Sequence, residues 1–220
     1  MDLPERLHRY LPRDDSRLHL APAAVIGVVV RNIVVRQRPV YALSEWVTPY
    51  DPAVLGLEEG DAAGFNDDRT GRMLDRLFDA DRASLITETV LAVIRDFDVA
   101  VSQLHNDSTT VTLTGACAQA DGRSRGGKAT AAIVHGHNKD HRPDLKQLLW
   151  ILTATADGAV PVAYRVVDGN TPDDRAHVHT WDELRCLVGR ADFLYVADSK
   201  LCSGQAMDHI AADGARFVTA

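Results

Sequence analysis

The pattern of apolar positions changes near residue 98 of the chain. Before that point apolar residues recur three and four positions apart, which is typical of helices with one buried face; after it they alternate or form short continuous runs, which favour strands. Helices are predicted over Pro22–Val35, from a cap at Asn66 or Asp67 through Phe78, and from Leu85 to near Phe97. We therefore expect a mainly helical N-terminal domain over residues 1–98 and a second domain over residues 99–220.

The second domain has a mixed order of elements. Strands are predicted within 99–113, 148–155 and 160–167, with Asp157-Gly158 as a hairpin turn between the last two. The later elements are a helix opened by a capping box at 180–183, a strand at 193–197, a helix capped by Ser203 and stopped by Gly214, and a strand at 216–219. Three strands in an antiparallel meander, followed by helical crossovers onto parallel strands, make the element order of the ribonuclease H-like fold. The predicted fold class is α/β, with a mixed sheet of that kind, incomplete because no further helix follows the last strand.

Composition changes this picture little. The longest apolar run, Ala21 to Val30, is shorter than the roughly 20 residues that span a bilayer, and the N-terminus lacks the basic and apolar segments of a signal peptide. Cys117, Cys186 and Cys202 are odd in number and far apart, which argues against a disulfide framework or a structural zinc site. These features predict a cytoplasmic protein that does not enter membranes.

The charge distribution is uneven. The net charge of -7 argues against nucleic-acid binding. Residues 61–98, however, hold nine acidic residues against five arginines, whereas residues 121–146 hold six Lys or Arg against three Asp, with three histidines besides. A solvated surface of mixed charge and a local basic surface both fit this pattern.

Two aspartates stand out by their context. Asp107 and Asp198 each occur at or near the end of a strand-like run. If the two strands are neighbours, they lie about 4.8 Å apart, which is close enough for both carboxylates to share one divalent cation. Turn or cap positions are the alternative interpretation for each aspartate.

Several blocks of the sequence resemble DDE transposases of bacterial insertion sequences, in the large type-four superfamily. The resemblance extends over roughly residues 18–220. The matching blocks are His105–Thr110, Gly136–Gln147, Asp168–Asp173 and Val196–Asp198, together with Asn32, Arg38–Tyr41 and Phe65–Arg72 in the helical part. Asn106, Asn138 and Ser199-Lys200 depart from the residues common in the family.

The resemblance implies metal-dependent cleavage and joining of transposon-end DNA by phosphoryl transfer. It implies three acids, Asp, Asp and Glu, that bind two Mg²⁺ or Mn²⁺ ions; Asp107 matches the first and Asp198 the second. The third acid has no matching position, so the chain looks truncated and is expected to be inactive as this fragment. Transposon-end and target DNA, a homodimer in the DNA complex and a bacterial, nucleoid-associated location are further implications.

The polar block between the aspartates offers phosphate contacts. Lys139, Arg142, Lys146 and Lys200 are the candidates, and such contacts position DNA without reading its sequence. The alternative is that residues 140–144 form an internally bonded turn before the next strand.

Other interpretations stay open from the sequence. Gly122–Ala129 fits GxxxxGK but lacks the following Ser or Thr, so a flexible basic loop is favoured over a nucleotide-binding P-loop. His135, His137, Asp140 and His141 resemble a metallohydrolase cluster with the wrong spacing. A helical DNA-binding or dimerisation module attached to a degenerate catalytic remnant is the remaining alternative.

Overall fold

The computed structural model describes residues 2–13, 18–137, 141–172, 176–198, 201, 203–212 and 214–219. The chain forms two compact units, Met1–Ala92 and Val93–Ala220. The division into domains at 98/99 stays a prediction. No described helix is long and apolar enough to cross a membrane.

The first unit consists of helices, as the periodicity predicts. Pro22 occupies the first turn of the second helix, where its missing N–H costs no hydrogen bond. Asn66 caps the fifth helix, its Oδ1 accepting from the N–H of Arg69 at 2.8 Å. The described helices that begin in this unit are α1 Leu3–Tyr10, α2 Pro22–Val35, α3 Leu43–Val47, α4 Pro52–Leu55, α5 Asp67–Asp79 and α6 Arg82–Asp96, with 3₁₀ turns at Val40–Ala42 and Asp61–Gly64. The boundary between the units, after Ala92, falls within α6.

The core of the first unit forms around α2, whose buried residues include Val25 and Val28. Leu43 and Trp46 of α3 and Met73 of α5 complete the same cluster. A helix this apolar is stable in water only when most of its surface is covered.

Asn32 explains one of the blocks that resemble transposases. Its side chain is buried and lies near the end of α2. Its Oδ1 accepts from the N–H of Arg38 at 3.0 Å, and its Nδ2 donates to the carbonyl of Arg38 at 2.8 Å. These two bonds fix the direction in which the chain leaves the helix, a structural role for a polar residue in an apolar segment.

The second unit contains one five-stranded sheet. Its strands are β1 Gln103–Leu113, β2 Lys146–Thr155, β3 Pro161–Asp168, β4 Leu194–Ala197 and β5 Arg216–Thr219. They lie in the order β3-β2-β1-β4-β5. The strand pairs β1–β2 and β2–β3 are antiparallel, and β1–β4 and β4–β5 are parallel. This order and these directions confirm the predicted α/β class and the ribonuclease H-like sheet.

Two helices connect the parallel strands: α7, Ala176–Val188, lies between β3 and β4, and α8, Gly204–Ala212, lies between β4 and β5. Ser203 caps α8 as predicted, its Oγ accepting from the N–H of Ala206 at 3.3 Å. The predicted capping box at Thr180 is wrong, because α7 already begins at Ala176 and Thr180 is a buried residue within it. The apolar residues after Thr180 mark the inner face of that helix, not its first turn.

Candidate functional site

The candidate site is formed by the central strands β1 and β4. Their parallel register aligns Gln103 with Leu194 and His105 with Val196. Two residues further along this register, Asp107 is level with Asp198, which directly follows β4. Neighbouring strands are about 4.8 Å apart, so the sheet brings the two predicted acids together.

Asp107 is not at a strand end, which corrects the sequence-based expectation. It is the fifth of the eleven residues of β1. The four-residue β4 ends at Ala197, level with Asn106, so Asp107 is the first residue of β1 beyond the end of its parallel neighbour. The alternation within 99–113 predicts a strand here, but it does not show where along that strand Asp107 lies.

Both aspartates lie on the less buried face of the sheet. Side chains alternate along a strand, and Leu104 and Asn106 of β1 are buried together with Tyr195 and Ala197 of β4. The intervening positions belong to the opposite face. On that face Asp107 is exposed and Asp198 is partly buried, so both positions can be reached from solvent.

Backbone contacts fix Asp198. The Oγ1 of Thr219 in β5 donates to the carbonyl of Asp198 at 2.7 Å, and the N–H of Leu201 donates to the same oxygen at 3.0 Å. Nothing in the sequence around Thr219 singles it out, since its role depends on the pairing of β4 with β5. Beneath the site, Tyr195 is buried and its hydroxyl lies 3.1 Å from Nδ1 of His177.

Asn106 fits the core despite being polar. Its Nδ2 donates to Oγ1 of Thr153 at 2.9 Å, and Thr153 is itself buried in β2. A polar pair that bonds internally avoids the cost of a buried unpaired amide. The departure from the family pattern at Asn106 is therefore compensated next to Asp107.

Aromatic and aliphatic side chains lie on the same open face of the sheet as the acids. Trp150 of β2 stacks on Tyr164 of β3, with ring centroids 5.0 Å apart and planes at 15°. By strand parity and register, both rings lie on the face of Asp107. Tyr164, Val111 and Val218 on this face are all exposed, so the face is open beyond the two acids.

The donor set fits a hard divalent cation. Mg²⁺ and Mn²⁺ prefer carboxylate oxygens, and Asp107 and Asp198 provide two such groups. Within the described residues no group of three or more His, Cys, Asp or Glu side chains is placed to hold a metal ion. His135, His137 and His141 are exposed and form no such group, while Asp140 lies outside the described residues.

The polar block Gly136–Gln147 has a structural function at its two ends. The side chain of Gln147 is buried and its Nε2 donates to the carbonyl of Gly169 at 2.7 Å. Gly136 and Gly169 pack against each other and against Gln147 without room for side chains. Part of the resemblance to transposases therefore reflects a close backbone packing at the carboxyl end of β3.

Of the four predicted DNA contacts, the structure describes two, and both make internal contacts. Arg142 donates from Nε and Nη2 to the two carboxylate oxygens of Asp144, at 2.8 and 2.7 Å. The guanidinium holds the pKa of Asp144 to about 2. Lys146 donates from Nζ to the carbonyl of Ala116 at 2.6 Å. Lys139 and Lys200 lie outside the described residues.

The segment that resembles a P-loop is a hairpin. Gly126 and Gly127 have φ angles of 55° and 76°, and Arg125 and Lys128 exchange two backbone hydrogen bonds of 2.9 Å. A two-residue turn with both φ positive is of type I′ and matches the twist of a hairpin. The described residues 129–137 that follow it form no helix, so they do not provide the helix N-terminus to which a P-loop binds phosphate. The sequence favours a flexible basic loop at this position; the structure instead forms a hairpin whose backbone is paired.

Comparisons with known proteins give one partial family match. A domain of unknown function (DUF4277) matches residues 1–91. No curated protein matches the chain.

Among solved structures, the chain is similar to the piggyBac transposase synaptic complex with hairpin DNA, at 11% identity and a TM-score of 0.45, covering 99% of this chain and 47% of that one. It is also similar to the Mos1 mariner paired-end complex with Mn, at 10% identity and a TM-score of 0.35, covering 97% of this chain and 65% of that one. The Mos1 transposase paired-end complex with left transposon end is similar at 9% identity and a TM-score of 0.34, covering 93% of this chain and 61% of that one. The chain thus spans about half to two thirds of the length of these proteins.

Proposed function

We propose that Asp107 and Asp198 hold a divalent cation, Mg²⁺ or Mn²⁺, in a DNA transposase of the DDE type from a bacterial insertion sequence. The single observation that supports this most is the register of β1 and β4, which makes the two acids neighbours on one open face. The sequence blocks around both acids support it independently. The reaction is the cleavage and joining of transposon-end DNA by phosphoryl transfer.

The two aspartates supply fixed oxygen ligands. Divalent ions bound between carboxylates lower the pKa of water and stabilise a departing 3′-oxygen. Asp107 is held within the central strand, and Asp198 is held through its carbonyl by Thr219 and Leu201. Ligands on rigid strands keep their spacing when the substrate arrives. Water, or a DNA 3′-hydroxyl during joining, is the nucleophile, so the protein needs no nucleophilic side chain.

Strand cleavage in this proposal requires a third acid, for which this sequence offers no match. We propose that these 220 residues alone bind metal without cutting DNA. Transposon-end and target DNA are the proposed partners, with a homodimer in the DNA complex. The proposed location is the bacterial nucleoid.

Manganese binding tests the metal site directly. Mn²⁺ is titrated into the purified chain and the free ion is followed by electron paramagnetic resonance. Asp107→Asn and Asp198→Asn should each weaken binding at least about tenfold, because each removes an anionic oxygen ligand. Asp192→Asn is the matched control, as Asp192 is an exposed acid of the same unit that pairs with Arg190.

The control variant should bind Mn²⁺ as tightly as the unmodified chain. If neither Asp107→Asn nor Asp198→Asn changes the affinity for Mn²⁺, the proposed metal site is wrong. The helical binding module with a degenerate remnant would then be the better interpretation.

A further inference from the structure

The connection between β1 and β2 contains a segment that the proposed metal site does not use. Residues 121–134, named here the basic hairpin, fold back on themselves around Gly126 and Gly127. Besides the two bonds between Arg125 and Lys128, the hydroxyl of Thr130 donates to the carbonyl of Arg123 at 2.6 Å. These contacts give the tip a defined shape.

The base of the basic hairpin is anchored to the sheet. The N–H of Ala132 donates to Oδ1 of Asp168 at 2.7 Å, and the N–H of Gly169 donates to the carbonyl of Ala132 at 3.2 Å. Val134 and Gln147 then exchange two backbone hydrogen bonds, of 3.2 and 2.9 Å. The hairpin therefore continues from the sheet at the point where β3 ends.

The charge of this segment is opposite to that of the chain. The basic hairpin contains Arg123, Arg125 and Lys128 against one acidic residue, Asp121, in a chain of net charge -7. The positions from Gly122 to Gly127 are exposed. Nε of Arg123 lies 3.0 Å from a carboxylate oxygen of Asp121 at the base. Counted over its residues, the net charge of the hairpin is positive, whereas that of the whole chain is negative.

From the level of Asp107, the base of the hairpin is reached by moving along the strands towards the end of β1. Asp107 is level with Tyr164 of β3 through Leu152 of β2, and Asp168 is four residues beyond Tyr164. Four strand residues span about 13 Å, which corresponds to about four base pairs along a duplex. A duplex that reaches the acids thus extends readily to the base of the hairpin.

We propose that the basic hairpin binds the phosphates of double-stranded DNA through Arg123, Arg125 and Lys128, beside the site where Asp107 and Asp198 act. The inference rests on the proposed function for the choice of DNA. Phosphate contacts of this kind fix the position of a duplex and carry no base specificity. A paired hairpin presents its charges with less conformational entropy to lose on binding than a flexible loop would.

A salt titration tests the hairpin. The purified chain is titrated onto a fluorescein-labelled 40-base-pair duplex of arbitrary sequence at several NaCl concentrations. Each lost phosphate contact reduces the salt slope by about one unit. Arg125→Gln/Lys128→Gln should therefore bind with a slope smaller by about two units. The charge-preserving variant Arg125→Lys/Lys128→Arg should keep the original slope.

Arg95→Gln/Arg190→Gln is the matched control for net charge, because both arginines are exposed and pair with a nearby aspartate outside the hairpin. Equal slopes for the control and the hairpin variant would overturn the proposal, as would failure of the unmodified chain to bind the duplex. Mn²⁺ binding is measured on the same proteins and should not change in the hairpin variant. A reduced slope in a chain that does not bind Mn²⁺ would keep the hairpin proposal and reject the metal site.

Discussion

Gly136 lies so close to Gly169 that a Cβ built on Gly136 would be 2.0 Å from the carbonyl oxygen of Gly169. The next atom, 2.7 Å from that Cβ, is Nε2 of Gln147, whose side chain is buried and hydrogen-bonded to the carbonyl of Gly169 and therefore cannot move away easily. We expect Gly136→Ala to lower the free energy of unfolding of the second unit by about 2–3 kcal/mol, near the upper end for overpacking. Chemical denaturation followed by tryptophan fluorescence measures this.

Gly204→Ala is the control for that substitution. Gly204 begins α8, and a Cβ there would meet nothing within 4 Å. It should change stability by less than about 0.5 kcal/mol, as for ordinary surface positions. Equal effects of the two alanines would contradict the packing described for Gly136.

The turn of the basic hairpin should discriminate between side chains. Gly127 has a φ of 76°, which a β-branched residue adopts only with strain. Gly127→Val should therefore break the bonds between Arg125 and Lys128, whereas Gly126→Asn should keep them, because Asn-Gly suits a type I′ turn. Amide hydrogen exchange at Lys128 reports the outcome. Fast exchange in the unmodified chain would show that the hairpin is open.

Asn32 should contribute more to the stability of the first unit than the exposed Arg36, which directly follows α2. Asn32→Ala removes both hydrogen bonds to Arg38, one from its N–H and one to its carbonyl oxygen. The expected loss in the free energy of unfolding of the first unit is about 1–3 kcal/mol. Arg36→Ala, at the exposed residue after the helix, should stay within about 0.5 kcal/mol. Thermal unfolding of the three proteins decides this.

Tyr195 predicts a loss of stability at high pH. Burial raises the pKa of its phenol well above the ordinary value of 10.0, so the folded chain keeps the phenol neutral. The unfolded chain ionises it near pH 10. The contribution to stability is therefore complete below about pH 10 and declines as the pH rises above it. Tyr195→Phe should flatten this decline in urea unfolding, and Tyr164→Phe, at an exposed position, should not.

The hydrogen bonds from Arg142 should determine the pKa of the Asp144 carboxyl. The pKa of the Asp144 carboxyl, about 2 in the protein, should rise towards the ordinary value of about 3.9 in Arg142→Gln. Carbon-13 NMR of the labelled carboxyl measures it. Lys146→Gln should leave the pKa of Asp144 unchanged, because Lys146 bonds to Ala116 and not to Asp144. An unchanged pKa of Asp144 in Arg142→Gln would show that Arg142 does not pair with Asp144 in solution. The phosphate contact predicted for Arg142 from the sequence would then be favoured.

Sequence predicts best where one local signal determines the structure. The helix Pro22–Val35 and the cap at Asn66 follow from apolar spacing and capping chemistry, and the structure confirms both. The predicted start of α7 at Thr180 is wrong. Thr180 and Trp181 are buried in the middle of the helix, and its first turn carries no capping signal in the sequence. Tertiary burial decided the outcome there.

The candidate site could be predicted only in part for the same reason. The sequence indicates Asp107 and Asp198 as a pair, and the sheet makes them neighbours, but their role in metal binding stays a prediction. The support from Thr219 requires the pairing of β4 with β5 and has no local signal. The bonds that occupy Arg142 and Lys146 were likewise hidden, since charge alone does not say which partner a side chain chooses.

The short strand β4 places a strict limit on insertions and deletions next to the proposed metal site. Because faces alternate with every residue, a single-residue insertion between Phe193 and Asp198 would turn the carboxylate to the buried face. Mutational drift in this segment is therefore constrained twice: Phe193, Tyr195 and Ala197 are buried, and the number of residues before Asp198 can change only together with the strand register.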